Sequence, residues 1–447
     1  MSKQNVIDDF SSFISIPSVS ADPKRAPDMS RAVKFLSKKL TSLGFEVRLL
    51  QNGQNPATIF AKRIGSTDGK TIGIYGHYDV QPEDPVREWD SEPFTLTQKN
   101  GRFYGRGTAD NKGHIIQNIA AIDNLIASQS LKNTIVFLIE GEEETGSEHF
   151  TSYIDTLKDE LMKVDVFYIT DVEMYKKNIP MIIYALRGLV YFEIELKVGD
   201  HDMHSGVYGN AVYNPAQILA DLFAHMKNSR SGEVLISGFY DSVRKIAEKE
   251  MKLLNNHVFS DEEFQKDAGS LGLTSMRNVP SYLAPKIFPS MDIHGIKSGF
   301  VGDGPKTIIP AQGLAKFSFR LVEHQDAGKM ELLVRDFIEK YMNQYGARVE
   351  YSITSHSYDN PFYCSINDPY LQKTARILSD HFGHETVFMR EGGSIPAAEI
   401  IQRVLGKPVV LTGFVLPDAN LHAPNENFDE DMFWEGIEVL GKIYGGI

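Results

Sequence analysis

Only one of the 447 residues is a cysteine, Cys364, and a lone thiol excludes an intrachain disulfide. Basic residues are also scarce: 46 Lys and Arg against 59 Asp and Glu leave a formal net charge of −13. Nucleic-acid binding requires clustered basic residues to neutralise phosphates, so no nucleic-acid partner is expected. No apolar run reaches the roughly 18 residues of a membrane-spanning helix, and Asp8 and Asp9 stand where a signal peptide would need its apolar stretch. A cytoplasmic location without membrane association is therefore the expectation. Internal repeats, low-complexity tracts and long flexible linkers are missing too, so any domain boundary lies within ordered structure.

What is present is the composition of a folded globular protein, 42% hydrophobic and 23% charged. At roughly 150 residues per domain the length suits two or three domains, each with its own core. Short apolar runs rich in β-branched residues recur at 71–75, 134–139, 164–169 and 408–411, and they read as buried parallel strands. Helical patterns at 29–43 and 114–128 lie between them, which is the alternation of an open α/β sheet. Residues 190–198 and 314–321 instead alternate apolar and polar, as strands with one solvated face do. Helical stretches at 214–227 and 329–345 follow them, and another strand comes at 348–354. Taken as parts of a β-α-β-β-α-β order, these elements predict an inserted α+β, ferredoxin-like domain at 188–360, between the early and late parts of the main domain, 1–187 and 361–447. Residues 231–289 read as largely helical and belong to neither pattern.

Chemistry-bearing residues cluster where these strands end. His77 and Asp79 follow the first run, and ligands of open α/β sheets bind outside the carboxyl ends of strands. The run Gly105 to His114 lacks the spacing of a P-loop or a dinucleotide fingerprint. Locally it could be no more than a glycine-rich turn with Asp110 as a helix N-cap. Glu140 to Glu144 follows the most apolar strand, where acids could simply suit a helix dipole or a solvated face. Asp171 follows the run 164–169, and His422 comes after the run 408–411. Carboxylates converging on one sheet edge repel one another unless cations neutralise them. Two histidines and three carboxylates without cysteine suit two divalent ions, with zinc favoured by imidazole ligands and manganese or cobalt as alternatives. Such a pair can polarise a carbonyl and activate a shared water, while a nearby unligated glutamate handles the proton.

Taken together, His77-Tyr78-Asp79, Gly107 to Gly113, Glu140 to Ser147 and His422-Ala423-Pro424-Asn425-Glu426 resemble the di-metal aminoacylase/carboxypeptidase-type metallopeptidases, in the branch of cytosolic dipeptidases and carnosinases. Asp202 to Gly206, Lys306 to Pro310, Phe319 to Val322 and Arg390 to Pro396 extend the likeness in the same order. The resemblance implies that His77 and Asp171 bind one metal, Glu144 and His422 the other, and that Asp110 bridges them. It implies Glu143 as general base, Asp79 as the group orienting His77, and a cis peptide after Asp110. The inserted domain would be a lid through which the chain forms a homodimer. His204 would reach the partner's scissile carbonyl, Arg320 would grip the substrate's terminal carboxylate, and Thr307, Gly393 and Ser394 would add hydrogen bonds.

The implied activity is hydrolysis of dipeptides or very short peptides, with N-acyl amino acid amidohydrolysis as the alternative within the same family. Two departures stand out. Glu323-His324-Gln325 replaces the Pro-Asn-Gln usual in dipeptidase relatives, so the exit of the lid strand is expected to differ. Glu142 replaces an apolar or small residue, and its charge is expected to raise the pKa of Glu143.

Overall fold

The computed structural model describes residues 2–447 except 67, 258, 275 and 278, and the side chains of these residues other than 357 and 358. The chain divides into two compact units, one formed by Met1–Tyr184, Cys364–Met389 and Ile395–Ile447, the other by Ala185–Tyr363 and Arg390–Ser394.

The first unit is built on one sheet. Its strands run in the order Glu46–Leu50, Thr58–Arg63, Thr134–Glu140, Thr71–His77, Val166–Ile169, Val409–Thr412 and Met181–Leu186. The four from Thr134–Glu140 to Val409–Thr412 are parallel, and antiparallel strands flank them. They are buried along nearly their whole length, as apolar runs covered on both faces must be. Helix Ala26–Ser42 buries Met29, Ala32, Val33, Leu36 and Leu40, a stripe at helical spacing. Helix Lys112–Ala127 is buried from Lys112 to Ile122, and the C-terminal helix Glu430–Gly446 packs against it. Asp110 does not cap helix Lys112–Ala127: its N-cap is Asn111, without a side-chain cap bond, so the simple N-cap reading of Asp110 does not hold.

Register fixes what matters for the site. Thr71 pairs with Thr134 and His77 with Glu140, while Tyr75 lies level with Ile169. Residues following these strands therefore emerge at one edge. Gly141 is needed there, since a Cβ would come within 2.3 Å of the Tyr78 ring.

In the second unit four antiparallel strands run in the order Ser290–Ser298, Gln312–Leu321, Gly188–Lys197, Glu350–Asp359. With helices Pro215–Met226 and Ala327–Met342 this is the ferredoxin-like arrangement. Val190, Phe192, Ile194, Phe317 and Phe319 from the strands, and Leu219, Leu222, Val334 and Ile338 from the helices, form its core. The edge strand Ser290–Ser298 exposes most of its residues.

The segment 231–289 is not largely helical. Its described residues hold three short helices, Glu248–Asn255, Asp261–Asp267 and Ala284–Ile287, and Val234, Ile236 and Phe239 join the core from irregular backbone. At the exit of strand Gln312–Leu321 an ion-pair cluster forms. Glu323, buried, pairs with Arg390 and with Arg244, and Arg244 also binds Glu250. Among the described residues no helix is long and apolar enough to cross a membrane.

Candidate metal centre

His77 ends its strand wholly buried. Its Nδ1 donates to the Asp79 carbonyl oxygen at 3.1 Å, with the Asp79 carboxylate 3.4 Å away. On its other side Nε2 faces Asp110 Oδ1 at 2.9 Å and Asp171 Oδ2 at 3.5 Å. Nε2 has no hydrogen-bond partner of acceptable geometry, and neither has the buried Oε1 of Glu144. Two carboxylates converging on one ring nitrogen call for positive charge among them, a proton on Nε2 or a metal ion in its place. Burial opposes charge on the ring, but Asp171 and Asp110 overcome it and hold the imidazole well above its ordinary pKa.

The second half of the cluster mirrors the first. His422 Nε2 lies 2.8 Å from Asp110 Oδ2 and 3.5 Å from Glu144 Oε2. Glu144 is held by two hydrogen bonds: Gln81 Nε2 donates to its Oε2 at 2.7 Å, and its own N–H donates to Asp79 Oδ2 at 3.0 Å. Asn111 Nδ2 donates to Asp171 Oδ1 at 2.6 Å. The Asp110–Asn111 peptide is cis. His77, Asp110 and Glu144 each bring one ligand atom within 4.8 Å of the others, as a group able to hold a metal ion does.

The electrostatics match crowded acids. Burial pushes Glu144 up to about 8, reinforced by Asp110, and raises Asp171. Glu143 is raised well above the carboxyl range by burial, opposed by His77 and reinforced by Asp171, Asp110 and Glu144. Burial acts the same way on Asp110, but hydrogen bonds to His422 and His77 win and hold it below the usual range. Glu142 turns instead to His149, whose Nδ1 lies 2.9 Å from its Oε1. The carboxylates acting on Glu143 are thus those of the cluster.

Sequence reasoning placed His422 directly after a strand. It stands on a loop beginning after Thr412, at φ 59°, and precedes the short strand Asn427–Asp429. Gln81, Asn111 and Glu426 went unremarked as individual groups. Each is polar and a few residues from a candidate ligand, which is the only local signal they carry. In the second unit, Met203–His204 pairs with Ile308–Ile309 and the Ser205 N–H donates to the Thr307 carbonyl at 3.1 Å, bringing His204 and Thr307 together. Arg320 lies on Gln312–Leu321 opposite Leu189, and Gly393 and Ser394 belong to the short segment Arg390–Ser394.

A parallel-sheet edge carrying two imidazoles and three carboxylates, two of its acids held at raised pKa, defines a metal-dependent hydrolase. The chain belongs to peptidase family M20/M25/M40, which matches residues 73–444, and it is a metallopeptidase. It is 30% identical over 440 residues to the Beta-Ala-His dipeptidase of Homo sapiens, covering 96% of this chain and 86% of that protein. Its identity to the Cys-Gly metallodipeptidase dug1 of Schizosaccharomyces pombe is also 30%, over 460 residues, 98% of this chain and 94% of that one. Among solved structures, the M20 family metallo-carboxypeptidase Sso-CP2 from Sulfolobus solfataricus matches with a TM-score of 0.86 at 30% identity, covering 100% of both chains.

Proposed function

We propose that this enzyme hydrolyses the peptide bond of dipeptides and very short peptides at a centre of two divalent ions, zinc in the first instance. His77 and Asp171 would hold one ion, Glu144 and His422 the other, and Asp110 both. The observation that carries this reading is the division of the Asp110 carboxylate, whose Oδ1 faces His77 at 2.9 Å and whose Oδ2 faces His422 at 2.8 Å. Each oxygen thus has one imidazole, and each imidazole has one further carboxylate 3.5 Å away. Bound ions would supply Lewis acidity to the scissile carbonyl and acidify a water molecule.

The rest of the chemistry falls to the chain. Glu143 takes the proton of the attacking water and passes it to the leaving amine nitrogen. Asp79 keeps His77 and the Glu144 backbone in place. His204 accepts the Gly206 N–H through Nδ1 at 2.9 Å, so its proton resides on Nε2, ready to donate to a developing oxyanion. Arg320 offers a planar fork for a terminal carboxylate, and Thr307, Gly393 and Ser394 add hydrogen bonds to the same substrate. The dipeptidase activity named for both curated relatives supports a dipeptide substrate over an N-acyl amino acid.

The chain is further taken to be a homodimer through the second unit. Ser290–Ser298 is an edge strand with Ile293 44% and Ile296 51% exposed, and such an edge invites pairing with another chain. His204 would serve the partner's centre.

The test is an assay on unblocked dipeptides and matching N-acetyl amino acids, with chelator and with zinc or manganese restored. Metal-dependent release of amino acids from dipeptides is expected. Cleavage of the acylated panel alone would overturn the assignment in favour of a deacylase.

A further inference from the structure

One wholly buried side chain of the first unit stands outside the chemistry described so far yet touches the loop of its central ligand. Glu426 is 0% exposed, four residues after His422. Its Oε2 accepts Arg106 Nη1 at 2.7 Å and the Gly107 N–H at 3.0 Å, and its Oε1 accepts the N–H groups of Ala109 at 2.8 Å and Asp110 at 3.0 Å. Its own carbonyl accepts the Gly105 N–H at 3.0 Å. The loop 105–110 is therefore wound around a single carboxylate.

The winding is tight. Gly107 sits at φ 88°, where a Cβ would come within 2.9 Å of Val80. Arg106 is itself buried, and its Nη2 donates to the Pro82 carbonyl at 3.0 Å. The other loop is also closed on itself: the Asn427 N–H donates to the Ala419 carbonyl at 2.9 Å and Asn420 Nδ2 to the Asn425 carbonyl at 3.3 Å. Glu426 thus joins the loop carrying His422 to the loop carrying Asp110. Four donors converging on two oxygens suit a carboxylate. An amide would offer one acceptor oxygen and set an NH₂ group against a donor.

We propose that Glu426 is a positioning residue that fixes the Asp110 backbone so that its carboxylate stands between His77 and His422 before any metal arrives. The inference rests on the reading of Asp110 as the shared ligand. Ionised hydrogen-bond acceptors around a metal ligand typically govern affinity by about 10- to 100-fold. A residue that merely neutralised Arg106 would change stability and leave affinity alone.

The experiment is calorimetric titration of the chelator-stripped full chain with zinc, comparing the parent with Glu426→Gln and Glu426→Asp. Glu426→Asp keeps the charge opposite Arg106 but withdraws it from the Ala109 and Asp110 N–H groups, so it guards against a misfolded Glu426→Gln. The expected result is zinc affinity lower by about 10- to 100-fold in each folded variant, with the circular dichroism of the metal-free chain retained. At saturating zinc, kcat for a dipeptide falls while KM holds. Parental affinity in either folded variant overturns the proposal, and so does loss of the folded state in both, which would make Glu426 a purely structural residue. A parent chain that binds no zinc would instead overturn the metal assignment itself.

Discussion

Asp79 accepts the backbone N–H of Glu144 through Oδ2 at 3.0 Å, so one side chain links the loop after strand Thr71–His77 to the loop that carries a candidate ligand. The same residue holds His77 through its carbonyl oxygen. Replacing Asp79 by Asn leaves the carbonyl in place and offers the Glu144 N–H either a neutral oxygen or a second donor. Zinc affinity is expected to fall by about 10- to 100-fold. Isothermal titration of the metal-free variant measures it, and unchanged affinity would remove Asp79 from the site.

In the proposed mechanism Glu143 alone carries the proton transfer. Glu143→Gln is nearly isosteric and replaces no proposed ligand, so metal content should stay at the parental level. Turnover is expected to drop by about 10²- to 10⁴-fold. Metal analysis and steady-state rates on one preparation decide the point, and a variant that loses metal would mean Glu143 is itself a ligand.

His204→Ala removes a donor rather than a ligand. The expected cost is about 10²- to 10³-fold in kcat with metal still bound. If His204 serves the partner's centre, mixing His204→Ala with Glu143→Gln chains should restore part of the activity, because a mixed dimer then contains one intact site. Failure of mixed samples to recover would place His204 in its own chain's site.

Ile296→Lys sets a charge on the exposed edge Ser290–Ser298. Light scattering on the eluting protein should show a shift from dimer to monomer at low micromolar concentration. A parent that is already monomeric, or a variant that stays dimeric, would reject this edge as the contact.

His114 gives a pH dependence with a defined sign. Burial lowers its imidazole from the usual 6.5 to about 3, and its Nε2 accepts the Phe414 N–H at 3.1 Å. Between those values the unfolded chain binds a proton that the folded chain does not, so this group's contribution to stability is lost as pH falls below 6.5. The slope from this residue is at most about 1.4 kcal/mol per pH unit. Denaturant unfolding with chelator at pH 6.5 and 4.5 should show a smaller loss for His114→Asn than for the parent. Equal losses would show that His114 does not titrate in this way.

Much of this was readable along the chain. The runs at 71–75, 134–139 and 164–169 are strands of a buried parallel sheet, which absorbs consecutive β-branched apolar residues, and His77, Glu140 and Asp171 follow from where those strands end. The strand Ser290–Ser298 was not legible, because an exposed edge has no buried face to impose alternation. Short helices in 231–289 were over-read, since apolar residues buried from irregular backbone mimic a helical pattern.

Residue order therefore settles the βα alternation, the inserted ferredoxin-like unit and the supply of ligand-type residues at strand ends, because these depend on local periodicity and polarity. It does not settle which of them meet. Asp110 and His422 are 312 residues apart, and Glu426 lies 316 from the Asp110 N–H it accepts. Only the folded chain brings such groups together and removes water from around them. Proximity and desolvation are both properties of tertiary packing, and together they shift these carboxyl and imidazole groups and leave His77 Nε2 facing two acids.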